Sequence, residues 1–385
     1  MCYLCTSKYK IQNYMAGIYV HVPFCKSRCI YCGFYSTTAL ASIPRYVDRV
    51  IEELQSRSCY LQGAPVDTIY FGGGTPSVLD VKDLGRILDA IYNIYNVRER
   101  AEVTVEGNPD DMQKGRLLAM RAMGVNRLSM GVQSFDDDRL RFLCRRHTAI
   151  QAMNAVRMAQ ACGFDNVSID LMFGFPDQTL EGWSADVARA LSLGVQHLSA
   201  YSLMYEEGTA LDRMREDGRI KEVDEEIERT MFEHLIDASK AAGFCHYEIS
   251  NFCLPGMQSR HNSSYWHGVP YLGVGAGAHS YDGRNRCYNV DSLQAYLDGE
   301  PVVVEMLTEV ERYDEYVFTA LRTAEGVEKD DLMRAFGAEK YAQFVLTAQK
   351  HLLLGTMEDT NGRIKLTRAG VFVSNDIMSD FMLAD

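Results

Sequence analysis

The segment His21-Val22-Pro23-Phe24-Cys25-Lys26-Ser27-Arg28-Cys29-Ile30-Tyr31-Cys32-Gly33-Phe34 carries three thiols at C-x3-C-x2-C spacing, directly after an apolar, strand-like run. A closed tetrahedral zinc site wants four ligands, and this loop supplies three. An iron-sulfur cube suits the number better. Cysteine thiolates normally hold every iron of such a cluster, so three of them leave one iron without a protein ligand and open to a small molecule. The competing reading is a trio of ordinary cysteines, which the packed, local spacing argues against.

Composition agrees with a metal-bearing globular protein. The chain has 385 residues, 47% hydrophobic and 24% charged, enough for a large core and two or three domains. No apolar run approaches the roughly 18 to 20 residues of a membrane span, and the start lacks the basic-then-apolar order of a signal peptide. A cytoplasmic protein is expected, with peripheral membrane contact left open. Eleven cysteines without an export signal read as reduced thiols plus a metal site rather than a disulfide framework. The net charge of −13 argues against nucleic acid as a partner, because phosphate neutralisation needs clustered Lys and Arg. Residues 1–16 read as an extension without function. Cys2 and Cys5 there lack a second pair at zinc-finger spacing, and Met15 offers an alternative start.

Outward from the thiol loop, short β-rich runs alternate with helix-period segments, the pattern of repeated βαβ units on a parallel sheet. The strands are expected at Gly17 to Phe24, Asp67 to Gly73, Glu102 to Asn108, Arg127 to Ser134, Asn166 to Phe175 and His197 to Met204. Amphipathic helices are expected at Ile43 to Ser58, Val81 to Tyr95, Thr148 to Cys162 and Thr179 to Leu193, each long enough for a right-handed crossover. Six units rather than eight predict an α/β fold, an open partial (β/α)6 TIM-like barrel over 17–220.

Function in such a barrel belongs at the C-terminal ends of the strands. Strand two ends in Gly72-Gly73-Gly74-Thr75-Pro76, where glycines allow close backbone approach and exposed N–H groups suit a carboxylate. Strand three ends in Glu106-Gly107-Asn108-Pro109, strand four in Gln133-Ser134, and strand five carries Asp170. Arg145 and His147 follow strand four, with a solvated basic patch as the competing reading.

Residues 221–304 read as a linking region that opens with an acidic, solvated helix face from Glu222 to Glu228. A dense stretch follows: Tyr247 to Phe252, Arg260 to His267 and Tyr271 to His279, rich in glycine and aromatics and holding His261, His267 and His279. Histidine beside Tyr and Trp can supply an axial ligand and a flat wall for a porphyrin. The plainer reading is a loop whose Trp266 packs under the barrel and whose His261 satisfies backbone groups. From 305 to 385, helices at Glu309 to Ala324, Glu328 to Phe336 and Ala338 to His351, a hairpin turning at Asn361-Gly362 and a helix from Thr367 to Phe381 form a winged-helix-like domain. Its acidic residues favour packing or partner contact over DNA.

The C-x3-C-x2-C spacing resembles the signature of the radical S-adenosylmethionine (SAM) enzymes. That resemblance implies a 4Fe-4S cluster whose open iron chelates SAM, and an electron from the cluster able to cleave the sulfonium to a 5'-deoxyadenosyl radical. The combination of Ile18 to Cys25, Phe71 to Pro76, Ser129 to Ser134 and Asp170 to Pro176 is similar to the oxygen-independent coproporphyrinogen III oxidase family from Gly17 to the C-terminus. It implies cluster ligation by Cys25, Cys29 and Cys32. SAM contacts are implied at Tyr19, the Gly73-Gly74-Thr75 turn, Glu106, Gln133, Arg145 and Asp170, with the turn holding the amino group through backbone carbonyls.

Two branches of that family differ at this loop. The dehydrogenase pattern has a fourth cysteine where this chain has Phe34, and a longer segment before the loop. Both departures resemble the heme chaperone branch, which also carries His-Asn-x-x-Tyr-Trp, here His261 to Trp266. The resemblance implies heme at His261, with His267 and His279 as further candidates for the iron ligand. It also implies heme-accepting respiratory or other heme proteins and an electron donor as partners. The alternative is oxidation of coproporphyrinogen III to protoporphyrinogen IX. Whether SAM is cleaved and whether the chain forms a homodimer are left open.

Overall fold

The computed structural model describes residues 15–383, so residues 1–14 of the expected extension, with Cys2 and Cys5, lie outside the described residues. Six parallel strands form the centre in sequential order: β1 (Ala16–Val22), β2 (Val66–Gly73), β3 (Val97–Gly107), β4 (Arg127–Gln133), β5 (Val167–Phe173) and β6 (His197–Ser202). The crossovers carry helices Ile43–Ser56, Val81–Ile94, Lys114–Ala122, Ala149–Ala161 and Leu180–Ser192. Their starts are written in the sequence, since Asp80, Thr148 and Thr179 accept first-turn N–H groups and fill the orphan valences there. β1 and β6 do not pair with each other, so the barrel is open, as six units predict.

Strand periodicity separates core from site. Alternate side chains point to opposite faces, so Ile18, Val20, Ile69, Phe71, Val103, Val105, Leu128 and Met130 meet helix residues such as Val50, Leu54, Leu84 and Val156 in one core. The other set, including Tyr19, Tyr70, Glu106, Ser129 and Asp170, lines the lumen.

The stretch 221–304, expected as a linker, instead extends the sheet at both edges. β7 (Cys245–Glu248) and β8 (Asn251–Cys253) continue antiparallel from β6. On the other side β9 (Tyr271–Val274) lies parallel to β1, followed by β10 (His279–Tyr281), β11 (Arg286–Tyr288) and β12 (Val303–Glu305). These strands have three or four residues each, too few for alternation to register in the sequence. They form because an open barrel offers edge N–H and C=O groups that need partners.

Glu53, on the first crossover helix, fixes part of this addition. Its buried carboxylate accepts from Arg57 at 2.9 Å, Asn289 at 2.8 Å, the Gly275 N–H at 3.0 Å and the Tyr296 hydroxyl at 2.8 Å.

The C-terminal part has its own core of Tyr313, Val317, Leu321, Leu332, Phe344, Ile364 and Met378. Helix Glu309–Leu321 is followed by β13 (Val327–Glu328), helix Lys329–Leu353, β14 (Met357–Thr360) and β15 (Arg363–Leu366). The hairpin turns at Asn361 and Gly362, both with positive φ, as expected. As expected, two helices lie either side of Gly337, whose non-helical backbone at φ 83° separates them within Lys329–Leu353. Two details differ: the wing has a third strand, β13, paired to β15, and the last helix breaks at Val373 into Arg368–Phe372 and Ser374–Asp380.

Candidate functional site

The thiol loop leaves the C-terminal end of β1 and is clasped at its base, where Cys25 N–H donates to the Thr37 carbonyl at 2.9 Å and Thr37 N–H to Pro23 at 2.7 Å. Cys25 is buried, with its sulfur 3.3 Å from the Thr75 hydroxyl, while Cys29 and Cys32 are half-buried at the tip. Burial pushes the Cys32 thiol up, and Cys29 and Cys25 add to this, so the three sulfurs share one electrostatic space. A bound iron would displace the proton that burial retains on Cys32. Among the described residues, no group of three His, Cys, Asp or Glu is drawn onto a point that one ion would occupy. Thiolates that each bind a different iron of a cube are spread around it, so the donor set and its spacing fit a cluster.

The neighbouring strand ends carry the other expected residues. Gly73 ends β2 with φ at 103°, and an added Cβ would lie 2.7 Å from the His21 ring, so only glycine fits. The Gly74 and Thr75 N–H groups donate to the Val22 and Phe24 carbonyls at 2.8 Å, and Gly73 N–H serves Glu106. These N–H groups therefore do not wait for a carboxylate, which corrects that expectation; the register of β1 against β2 consumes them.

Gln133 closes β4 with φ at 69°, a strained conformation for a residue with a side chain. Arg145 is no part of a solvated patch. It lies inside, bonded to Asn108 at 2.6 Å, to the Gly131 carbonyl, and to the Cys29 sulfur at 3.4 Å. His147 is also buried, bonded to the Val132 carbonyl, and its pKa falls to about 4 through burial and Arg145.

Below this rim a cavity of about 290 Å³ runs into the lumen, walled by Tyr19, Tyr70, Glu106, Ser129, Asp170, Tyr201 and Arg127. The Tyr70 hydroxyl donates to Glu106 at 2.6 Å. Burial nonetheless lifts the Glu106 carboxyl to about 7, with the Asp170 charge adding to it. Asp170, also raised by burial, is held by Ser199 and Ser129. Arg127 is 1% exposed, and its Nε and Nη1 have no hydrogen-bond partner among the described residues. These orphaned donors and the protonatable carboxylates suit a polar ligand such as SAM better than a bare apolar one. The sequence reading missed Arg127, Tyr70 and Tyr201; Arg127 opens β4, where an arginine reads as an ordinary solvated strand end.

His261 sits at the opposite end of the lumen. It belongs to a helix, Arg260–Trp266, not to a loop. Ser259 caps that helix, and Glu102 accepts the N–H groups of Arg260 and His261 at 3.2 and 3.1 Å. Gly17 at the start of β1 makes room, since a Cβ there would lie 3.2 Å from the His261 ring. The ring is 1% exposed, stacks on Tyr70 at 5.0 Å, and shares hydrogen bonds of 2.8 Å with Thr68 and with Tyr265. Burial and Arg127 lower its pKa to about 3. The lumen thus brings Tyr19, Glu106, Asp170 and His261 into one wall, with Gly73, Gly74, Thr75, Gln133 and Arg145 on the rim beside the thiols.

A partial barrel with a three-thiol loop at its C-terminal mouth defines a class, and the radical SAM superfamily model matches residues 19–190. Along almost its whole length the chain is similar to the protein named heme chaperone HemW of Bacillus subtilis, 34% identical over 377 residues, 96% of this chain and 99% of the relative. The HemW of Escherichia coli K12 is 36% identical over 267 residues, 68% and 69% of the two chains. The solved structure of coproporphyrinogen III oxidase (HemN) from Escherichia coli superposes with a TM-score of 0.83 at 22% identity, covering 96% of this chain and 90% of that one. The chain belongs to the radical SAM superfamily and, within it, to the HemW heme chaperone family. Among its described residues no helix is long and apolar enough to cross a membrane.

Proposed function

We propose that this protein binds heme and passes it to acceptor hemoproteins, and that it carries a 4Fe-4S cluster on Cys25, Cys29 and Cys32 with SAM beside it. The observation that carries the reading is kinship over nearly the full chain to proteins named heme chaperones, joined to Phe34. Phe34 is 71% exposed at the position where the dehydrogenase pattern needs a cysteine. When bound, such a cluster supplies single electrons to SAM.

The chain's own residues prepare that site. Arg145 braces the Cys29 sulfur against β4, with its Nη1 at 3.4 Å from that sulfur and its Nη2 on the Gly131 carbonyl. An ammonium group would meet this turn through the Gly73 and Gly74 carbonyls, since the Gly74 and Thr75 N–H groups are spent on Val22 and Phe24 and the Thr75 carbonyl accepts from Val78 N–H at 2.9 Å. Glu106, close to half-protonated at neutral pH, can hold or release a proton at the atom that Tyr70 contacts. Gln133 and Asp170 complete the polar contacts for the methionine or ribose ends. The site is placed in the cytoplasm, fed by an electron donor, with respiratory or other heme proteins as acceptors.

One assay separates this reading from porphyrinogen oxidation, which the HemN-like fold would also accommodate. Anaerobic protein with a verified cluster is incubated with reductant and SAM, once with hemin and an apo-hemoprotein, once with coproporphyrinogen III. Heme binding and transfer without carbon dioxide release is expected. Protoporphyrinogen with carbon dioxide, and no heme transfer, would replace the chaperone reading by the oxidase.

A further inference from the structure

Away from the thiol loop, two of the described cysteines face each other. β7 and β8 pair antiparallel with Cys245 directly opposite Cys253 and His246 directly opposite Phe252. Opposed residues of an antiparallel pair point their side chains to the same face. The pairing is close here, since the His246 and Phe252 rings stack with centroids 4.3 Å apart at an angle of 11°. Such residues have Cα atoms about 4.5 to 5.5 Å apart, inside the span of about 4.4 to 6.8 Å that a disulfide bridges. Cys287, the other described strand cysteine, is opposed by Ser280 and Val304 and has no such neighbour.

The two thiols are unequal. Cys245 is exposed and Cys253 is buried. Burial pushes the Cys253 thiol up to about 11, with the facing Cys245 as the next cause. A reagent arriving from solution therefore meets Cys245 first. The strand that carries Cys245 also joins three parts of the molecule. β7 is the outermost strand of the sheet, and the C-terminal unit is seated on its free edge: the Ala324 N–H donates to the Tyr247 carbonyl at 3.0 Å, and the Ile249 N–H to the Arg322 carbonyl at 3.1 Å. On the barrel side the Tyr247 hydroxyl lies 2.7 Å from His197 Nε2 and accepts the Ser259 N–H at 3.4 Å, where Ser259 caps the helix that carries His261. An edge strand is held by one neighbour within its sheet, so a covalent tie to β8 would act on all three contacts.

We infer that Cys245 and Cys253 form a reversible dithiol–disulfide site, oxidised by low-molecular-weight disulfides such as glutathione disulfide, and that its closure locks the edge strand on which the C-terminal unit sits. The inference is independent of the heme reading. The Cys245 thiolate attacks glutathione disulfide, forms a mixed disulfide and expels one glutathione thiolate. The Cys253 thiolate then attacks the Cys245 sulfur, the second glutathione thiolate leaves, and the strands are joined. Two cysteines lose two electrons and two protons, and glutathione disulfide takes up both to become two thiols. A disulfide of this kind suits a reducing compartment, where such bonds are transient and redox-sensing rather than structural.

Anaerobic full-length protein with its cluster in place is equilibrated in glutathione buffers of graded oxidation, quenched in acid, alkylated with N-ethylmaleimide and mapped by peptide mass spectrometry. Wild type should yield peptides joined through Cys245 and Cys253, and dithiothreitol should separate them. Cys253→Ser should stop with glutathione on Cys245, and Cys245→Ser should leave Cys253 unmodified. Cys59, exposed and outside every strand, should carry glutathione alone and so calibrate the buffers. Wild type that carries glutathione on Cys245 without the link, or that keeps both thiols reduced where Cys59 is modified, would overturn the assignment. Hydrogen exchange tests the lock: the Ile249 and Ala324 amides should exchange more slowly in the linked protein than in the reduced one, with no change in Cys245→Ser under the same buffers. Equal exchange in the linked and reduced forms would show that closure does not hold the edge strand.

Discussion

Replacing Glu106 by Gln tests the electrostatics of the lumen directly. Burial raises the Glu106 carboxyl from 4.5 to about 7. The sign follows from linkage: the folded state keeps the proton that the unfolded chain loses, so the contribution of this group to stability is complete below pH 4.5 and is lost as pH rises through 7. At 1.36 kcal/mol per pKa unit, the penalty for ionising the buried group approaches about 3 kcal/mol above pH 8 and is about 1.4 kcal/mol at pH 5.5. Glutamine carries no such penalty. It costs on the order of 1 kcal/mol at every pH, because its amide replaces one acceptor oxygen by an NH2 donor where Tyr70 and Gly73 both donate. The stability of Glu106→Gln relative to wild type should therefore move by about 2 kcal/mol in favour of the variant between pH 5.5 and 8.5. Urea unfolding followed by tryptophan fluorescence reads this out, since the chain's two tryptophans sit on a crossover helix of the barrel (Trp183) and on the helix that carries His261 (Trp266). A difference that is flat with pH would refute the reasoning and mean that Glu106 is hydrated or that Arg127 keeps it ionised.

Three further outcomes are expected. Cys29→Ala should fail to retain iron and acid-labile sulfide after anaerobic reconstitution, with unchanged far-ultraviolet circular dichroism; a full iron complement would sink the ligand assignment. Glu53→Ala leaves Arg57, Asn289, Tyr296 and the Gly275 N–H facing an uncompensated gap, and should cost about 3 to 5 kcal/mol in a urea titration; a loss below about 1 kcal/mol would show that water replaces the carboxylate. Gly73→Ala forces a Cβ into the His21 ring at a φ of 103° and should destabilise by about 1 to 3 kcal/mol, seen as a lowered melting temperature. An unchanged melt would mean that the turn relaxes.

The six barrel strands, their crossover helices and the three-thiol loop were legible along the chain, because each is a local pattern: period-two alternation, an amphipathic stripe with its cap, and a short ligand spacing. The wing turn at Asn361-Gly362 was legible for the same reason. Strands β7 to β12 were not, since three or four residues carry no periodicity and the open barrel edge alone gives them a partner. Sequence also determined which histidines deserved attention. Only the tertiary structure set their surroundings, because burial and contacts come from residues distant in the chain: Thr68 closes one valence of the buried His261, whereas His267 stays half exposed with the Glu325 carboxylate 3.6 Å from its Nε2. The same division holds at the rim. The glycines announced a close backbone approach, but the pairing of β1 with β2 determined that the N–H groups of Gly74 and Thr75 are spent on the Val22 and Phe24 carbonyls.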